Sequence, residues 1–398
     1  MGKASERISR VKYAIRDLIV HAKRLEEKGR KIIYLNIGDP APFFEVPSHV
    51  REAMVKAVME RSAGYAPSEG IPEFREAVCR KEREVNEVTS ITPDDVIATA
   101  GVSEGIQLVI QALADPGDEV LLPDPTYPPY RSYAALNGVG IRTYRCLEDE
   151  GWTPDVDDLR SKMDENVKAV FLINPNNPCG SVYPERRVKE IVDVAGEYGV
   201  PIVSDEIYDQ IVYEGRFRSA ASLAGDVPVI GLNGLSKTYL VPGWRLGYVY
   251  FHDPEGVIQD VKEGVVKGAR VRLSVNVPAQ VAGAAALNGS KEHVKELVSA
   301  LRERRDYTFK RLSEIHEFHC EEPRGAFYVF PRINLRKWRD DLEFVIEVLN
   351  DAGVLLVNGS GFGENGGWHF RMVFLPTVDI LEEAFNRLEE FMKRKRSG

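Results

Sequence analysis

The chain has 398 residues, with 52 Lys and Arg against 61 Asp and Glu, so its formal net charge is −9 and the signs are interspersed. That leaves no basic face of the kind a nucleic-acid partner demands, and the length suits two domains with a sizeable core. The four cysteines, Cys79, Cys146, Cys179 and Cys320, lie in neither Cys-x-x-Cys spacing nor a His-rich neighbourhood, so neither a metal site nor a disulfide framework is expected. No stretch approaches a membrane span and the charged N-terminus has no apolar signal core, which points to a soluble protein in a reducing cytoplasm.

In chain order, residues 8 to 28 read as an amphipathic helix, with Tyr13, Ile15, Leu18, Ile19 and Leu25 set among charges. The extended run Ile32-Ile33-Tyr34-Leu35-Asn36 and the turn Gly38-Asp39-Pro40 follow. A regular alternation then begins with a helix over Glu73–Val85, a strand over Val96–Thr99, a helix over Glu104–Ala114 and a strand over Glu119–Leu122. Further apolar runs at Ala169–Ile173, Ile202–Ser204, Val229–Leu232 and Tyr248–Phe251 each end in Gly, Pro, Asn or Asp. Such an alternation predicts an α/β fold with a mostly parallel sheet flanked by helices. Beyond about residue 285 the pattern changes to helices over Lys291–Leu312 and Leu342–Asp351 with antiparallel strands over Ala326–Phe330 and Phe370–Phe374, a smaller α+β unit. The expected division is a large domain over 49–285 and a small one over 1–48 and 286–398.

Five clusters fall at predicted strand ends, where open α/β sheets keep their ligand sites. Gly101-Val102-Ser103-Glu104-Gly105 joins a strand to a helix, and free N–H groups with the helix dipole would bind phosphate there. The same letters match the nucleophile elbow of a serine hydrolase, for which His369 would be the late histidine. Pro125-Thr126-Tyr127-Pro128-Pro129-Tyr130 is a rigid turn that offers an aromatic face to a flat ring. Asn174-Pro175-Asn176-Asn177-Pro178 makes turns by itself but also supplies a directed amide. In Val203-Ser204-Asp205-Glu206-Ile207-Tyr208 a carboxylate ends an apolar strand, a costly burial unless a cation answers it. His369-Phe370-Arg371-Met372-Val373-Phe374 sets a guanidinium fork, matched to a carboxylate, inside another apolar strand. A sixth segment, Asn233-Gly234-Leu235-Ser236-Lys237-Thr238, brings a lysine to a strand end with Arg245 eight residues on. Desolvation would free the Lys237 amine to form a Schiff base.

Together these motifs resemble those of the fold-type I, class I/II aminotransferases, pyridoxal-phosphate enzymes, over nearly the full chain. The most telling are Leu35 to Pro40, Gly64-Tyr65 before Glu69-Gly70-Ile71-Pro72, Asn174 to Pro178, Asp205 to Tyr208, Ser236-Lys237-Thr238 and Gly243-Trp244-Arg245-Leu246-Gly247. Within the family, Tyr13 to Arg16, Arg272 to Gln280 and Arg371 to Pro376 look like the microbial alanine aminotransferase branch. The resemblance implies the following roles. Lys237 is the Schiff-base lysine and proton carrier, Asp205 pairs with the pyridine nitrogen, Tyr208 and Asn177 face the phenolic oxygen and Tyr127 stacks on the ring. Val102, Ser103, Ser236 and Arg245 hold the phosphate, joined by Tyr65 from a second subunit of a homodimer. Arg371 and Gly38 take the substrate α-carboxylate, and Tyr13 and Arg16 read the side chain. Cys179 stands where relatives commonly have Thr, a departure expected to touch packing rather than chemistry. Alanine with 2-oxoglutarate is the expected amino acid and 2-oxo acid pair. Aspartate, a broad or aromatic range, a pyridoxal-phosphate β-lyase and the serine hydrolase remain the alternatives.

Overall fold

The computed structural model describes residues 2–11, 13–60 and 64–397. Its centre is an eight-stranded sheet: β1 Val96–Thr99, β2 Glu119–Asp124, β3 Gly140–Leu147, β4 Thr153–Pro154, β5 Val167–Ile173, β6 Ile202–Asp205, β7 Val229–Gly234 and β8 Gly247–His252. The order in space is β1-β8-β7-β6-β5-β2-β3-β4. The five strands from β7 to β3 run parallel, β8 runs antiparallel to both β7 and β1, and β4 pairs antiparallel at the far edge.

Successive residues along these strands enter opposite cores. Val170 and Leu172 pack on one face, and Ala169, Phe171 and Ile173 on the other. A sheet covered on both faces needs apolar residues at every position, which is why its strands read as continuous runs. Helix Val102–Leu113 packs with Gln259–Arg272 on one side, and Val277–Asn288 packs with Ser48–Glu60 and Pro72–Asn86. Those two layers make the predicted architecture, and the six strands expected from the sequence have bounds within two residues of it, whereas β3 and β4 are strands the sequence reading does not contain.

The C-terminal part differs in kind. Strand β11, Phe370–Val373, lies between β9, Tyr328–Val329, and β10, Val357–Asn358, antiparallel to both. The extended run near Ile33–Tyr34 pairs in parallel with Val354–Leu355, which ties the chain's beginning to this unit. The predicted strand over Ala326–Phe330 is trimmed because Ala326 takes a positive φ of 53°.

The helix predicted over 8 to 28 is a correction. It is three pieces, Glu6–Ser9, Ala14–Asp17 and Ile19–Glu27, while residue 12 lies outside the described residues. Tyr13 has φ −140° and ψ 71°, which breaks the spiral, and Asn36 Nδ2 donates to the Ile15 carbonyl 2.9 Å away. Tertiary bonds at Tyr13 and Ile15 outbid helix propagation. The residues 1, 61–63 and 398 of the expected domain ranges are likewise outside the described residues.

Candidate active site

The C-terminal ends of β2, β5, β6 and β7 open on a cavity of about 440 Å³, closed on the other side by residues of the arm and the C-terminal unit. Of the residues singled out above, Tyr13, Arg16, Gly38, Val102, Ser103, Tyr127, Asn177, Asp205, Tyr208, Ser236, Lys237, Arg245 and Arg371 all line it. Tyr65 does not; it stands 83 % exposed on this chain.

Lys237 Nζ points into the cavity and donates to the Gly38 carbonyl at 2.6 Å. The cavity admits water to it, yet protein surrounds it closely. Burial pulls its pKa down to about 8, against the Asp39 carboxylate, which holds it up. A neutral amine is thereby within reach at moderate pH. Asp205 is buried at the end of β6, where Oδ1 accepts from the Ile207 N–H at 3.1 Å and Oδ2 accepts from the Tyr130 hydroxyl. Burial pushes it up to about 6. Among the described residues it has no ion-pair partner, so the cost of its charge is left for a cation in the cavity to answer.

Arg371 is a second charge left unanswered among the described residues. It is 1 % exposed, with Nη1 donating to Asn177 Oδ1 at 2.9 Å and Nη2 to the Asn36 carbonyl. Its guanidinium lies over the rings of Tyr328 and Phe362, 4.6 and 4.9 Å from their centroids. Nε is buried without a hydrogen-bond partner, and among the described residues no carboxylate pairs with the side chain. A buried fork that is oriented but unpaired is a receptor for a planar anion.

A second anion end lies at the start of helix Val102–Leu113. Gly101, at φ 81°, turns the chain out of β1 into that helix, and a Cβ there would come within 2.6 Å of Arg245 Nη2. Only glycine lets Arg245 sit against the helix N-terminus, where its nitrogens donate to the Ala100 and Pro242 carbonyls. Ser103 and Ser236 line the same end. Free N–H groups, two hydroxyls and a guanidinium that has no carboxylate partner among the described residues suit a phosphate. A phosphate end, a carboxylate awaiting a cation, a reactive lysine and an aromatic wall at Tyr127 fit pyridoxal phosphate.

Residues 30–388 match the family model for aminotransferase class I and II. The chain belongs to the class I and II aminotransferases. It is therefore a pyridoxal-phosphate-dependent aminotransferase with an aspartate-aminotransferase-like fold. The glutamate-pyruvate aminotransferase AlaA of Haemophilus influenzae is 38 % identical over 98 % of this chain and 97 % of its own, and the alanine aminotransferase of Mycobacterium bovis is 39 % identical over 98 % and 92 %. An alanine aminotransferase from Pyrococcus furiosus superposes with a TM-score of 0.97 at 51 % identity, covering 98 % of this chain and all of that one.

The aminotransferase's site also holds residues that the sequence reading passed over. Tyr130 belongs to the quoted Pro125–Tyr130 cluster, but only Tyr127 was singled out; the helix Pro129–Asn137 that starts there turns Tyr130 towards Asp205. Asp39 and Tyr328 line the cavity, and nothing in the local sequence marks Tyr328. In Asn174 to Pro178, Asn174 and Asn176 bond the Tyr183 and Cys179 N–H groups and staple the turn, which leaves Asn177 to face the cavity. Cys179 is buried, as a packing residue should be. His369, the candidate histidine of the hydrolase reading, stacks on Phe330 with Nε2 3.4 Å from Glu148 and does not line the cavity with Ser103.

Proposed function

We propose that this aminotransferase moves the amino group of an L-amino acid to a 2-oxo acid, with alanine and 2-oxoglutarate as the principal pair. The observation that carries this reading is the unpaired buried Arg371 in one cavity with the depressed Lys237 and the unpaired Asp205. The names of the alanine and glutamate-pyruvate relatives support the choice of alanine.

Pyridoxal phosphate supplies a carbonyl that condenses with amines and a ring that, when protonated, withdraws electrons from the substrate Cα. Asp205, held by Tyr130, would keep the ring nitrogen protonated. Lys237 Nζ would carry the proton between Cα and the cofactor's C4′, the step in which an amine near neutral pKa is most effective. Tyr208 and Asn177 would face the phenolic oxygen and Tyr127 the ring. Backbone N–H groups at Val102 and Ser103, with Ser236 and Arg245, would hold the phosphate. Arg371 and Gly38 would take the α-carboxylate.

Tyr13 and Arg16 would read the side chain. Arg16 is exposed at the cavity mouth, and among the described residues it has no ion-pair partner. It is therefore free to meet the distal carboxylate of 2-oxoglutarate and stand aside for alanine. The reading includes a homodimer, in which Tyr65 of the partner subunit reaches the phosphate, two domains over 49–285 and over 1–48 with 286–398, and a cytoplasmic setting. Supporting the dimer, Val55, Val58 and Met59 on helix Ser48–Glu60 are exposed on the isolated chain together with Tyr65.

The test is a donor and acceptor screen with purified protein. Alanine should convert the loaded enzyme to its amino form, and 2-oxoglutarate should restore it with glutamate as product. Ammonia release from the donor without any 2-oxo acid would reject transamination in favour of a lyase.

A further inference from the structure

Tyr328 stands where three parts of the site meet, and the roles proposed above do not use it. It belongs to β9 of the C-terminal unit, whereas Tyr208 follows β6 of the large sheet. Their hydroxyl oxygens are 2.7 Å apart, and both side chains are fully buried apart from the cavity they line. The backbone makes room for this contact. A Cβ on Gly38 would lie 2.2 Å from Tyr328 Oη, so the glycine whose carbonyl receives Lys237 is also the one that admits the Tyr328 hydroxyl. The Tyr328 ring in turn lies under the Arg371 guanidinium.

We infer that Tyr328 is a positioning residue whose hydroxyl donates to Tyr208 and directs the Tyr208 proton to the cofactor's phenolic oxygen. The inference rests on the reading of Tyr208 proposed above. A phenol holds one proton, so if Tyr208 donates to the phenolic oxygen it must accept from Tyr328. A hydroxyl that accepts one bond becomes a better donor in the next, more so in a buried chain. Tyr328 then strengthens the bond that stabilises the phenolic oxygen as an anion, and so lowers the pH at which the Lys237 nitrogen, joined to the cofactor, gives up its proton. Because the contact joins the C-terminal unit to the large sheet, this tuning depends on the two being correctly apposed.

The charged and titratable groups around the pair and Lys237 are Asp39, Asp205, Arg371, Arg245, Arg16, Tyr13 and Tyr127, and all of them persist when only the Tyr328 hydroxyl is removed. The test follows the pH midpoint of the bound cofactor's visible absorbance, without substrate, in the wild type, Tyr328→Phe, Tyr208→Phe and the double variant. Loss of one such bond should raise the midpoint in Tyr328→Phe by roughly 0.5 to 1 pH unit. Tyr208→Phe should raise it further, and the double variant should match Tyr208→Phe because Tyr328 acts through that hydroxyl. Since Phe keeps the ring face, the dissociation constant of a simple carboxylate inhibitor should stay within about twofold in Tyr328→Phe, as removing a hydroxyl away from the ion pair predicts. An unchanged or lowered midpoint in Tyr328→Phe, or shifts that add in the double variant, would overturn the inference. A wild type with no pH-dependent visible band would instead count against the proposed roles of Lys237 and Tyr208.

Discussion

Asp205 shows how a single residue can be costly for the fold and necessary for the site. Its folded pKa of about 6 lies above the ordinary value of 3.8. The folded state therefore binds more protons than the unfolded chain between about pH 4 and 6, and the unloaded protein loses stability as pH rises through that window. Two units correspond to on the order of 2–3 kcal/mol. Asp205→Asn should remove that cost, so thermal unfolding of the cofactor-free variant at pH 7 should occur at a higher temperature than wild type, while transamination falls by orders of magnitude. A variant that is less stable and fully active would contradict both halves. Arg371 and Arg16 divide in the same spirit. Losing a bidentate charged pair costs about 2–5 kcal/mol when its partner stays buried, so Arg371→Leu should fail with alanine, glutamate, pyruvate and 2-oxoglutarate alike. Arg16→Ala should penalise glutamate and 2-oxoglutarate selectively, and equal losses with all four in steady-state kinetics would show that the arm does not read the side chain.

Among the elements, those that follow from local patterning were legible and those set by contacts were not. β1, β2 and β5 to β8 were legible because a strand covered on both faces is apolar throughout, whereas β3, with Arg142, Thr143 and Arg145, has no such run. Helices such as Val277–Asn288 escaped notice because apolar residues surround them on all sides and leave no stripe. The loop around Gly38 has no regular structure, yet it has little tolerance. Gly38→Ala should displace Tyr328 and the Lys237 acceptor together, with a loss of about 1–3 kcal/mol in stability from overpacking. Adding Tyr328→Phe should recover part of it, because the nearest atom, Oη, is then gone. Chemical denaturation of the single and double variants measures this directly. At the helix N-terminus, Ser103→Ala should retain activity because its backbone N–H survives; a dead Ser103→Ala beside an active Asp205→Asn would revive the hydrolase.

For the whole molecule, the decisive question is whether one chain holds a complete site. Arg245 is exposed and Tyr65 stands away from the cavity of its own chain. Mixing an inactive Lys237→Ala protein with an inactive Tyr65 variant should therefore restore measurable activity, because a hybrid dimer contains one site with both residues intact. A fully active monomer by light scattering would exclude this arrangement.

Sequence by itself determined six of the sheet's eight strands, the strand-end clusters and the residues that carry charge in the cavity. These are local facts, since a continuous apolar run, a glycine before a helix and a carboxylate closing an apolar strand each state their physics within a few residues. It also marked Arg371 as a misplaced cation. Tertiary structure alone decided that the N-terminal helix would break at Tyr13, that Asn177 rather than Asn174 or Asn176 would face the cavity, and that Tyr130 and Tyr328 would hold Asp205 and Tyr208. The contacts of Tyr130, Tyr13 and Tyr328 join segments 75 to 120 residues apart in the chain at hydrogen-bond distance, and Arg371 meets Asn177 across 194. No local pattern encodes such a meeting, because it is settled by how the layers pack.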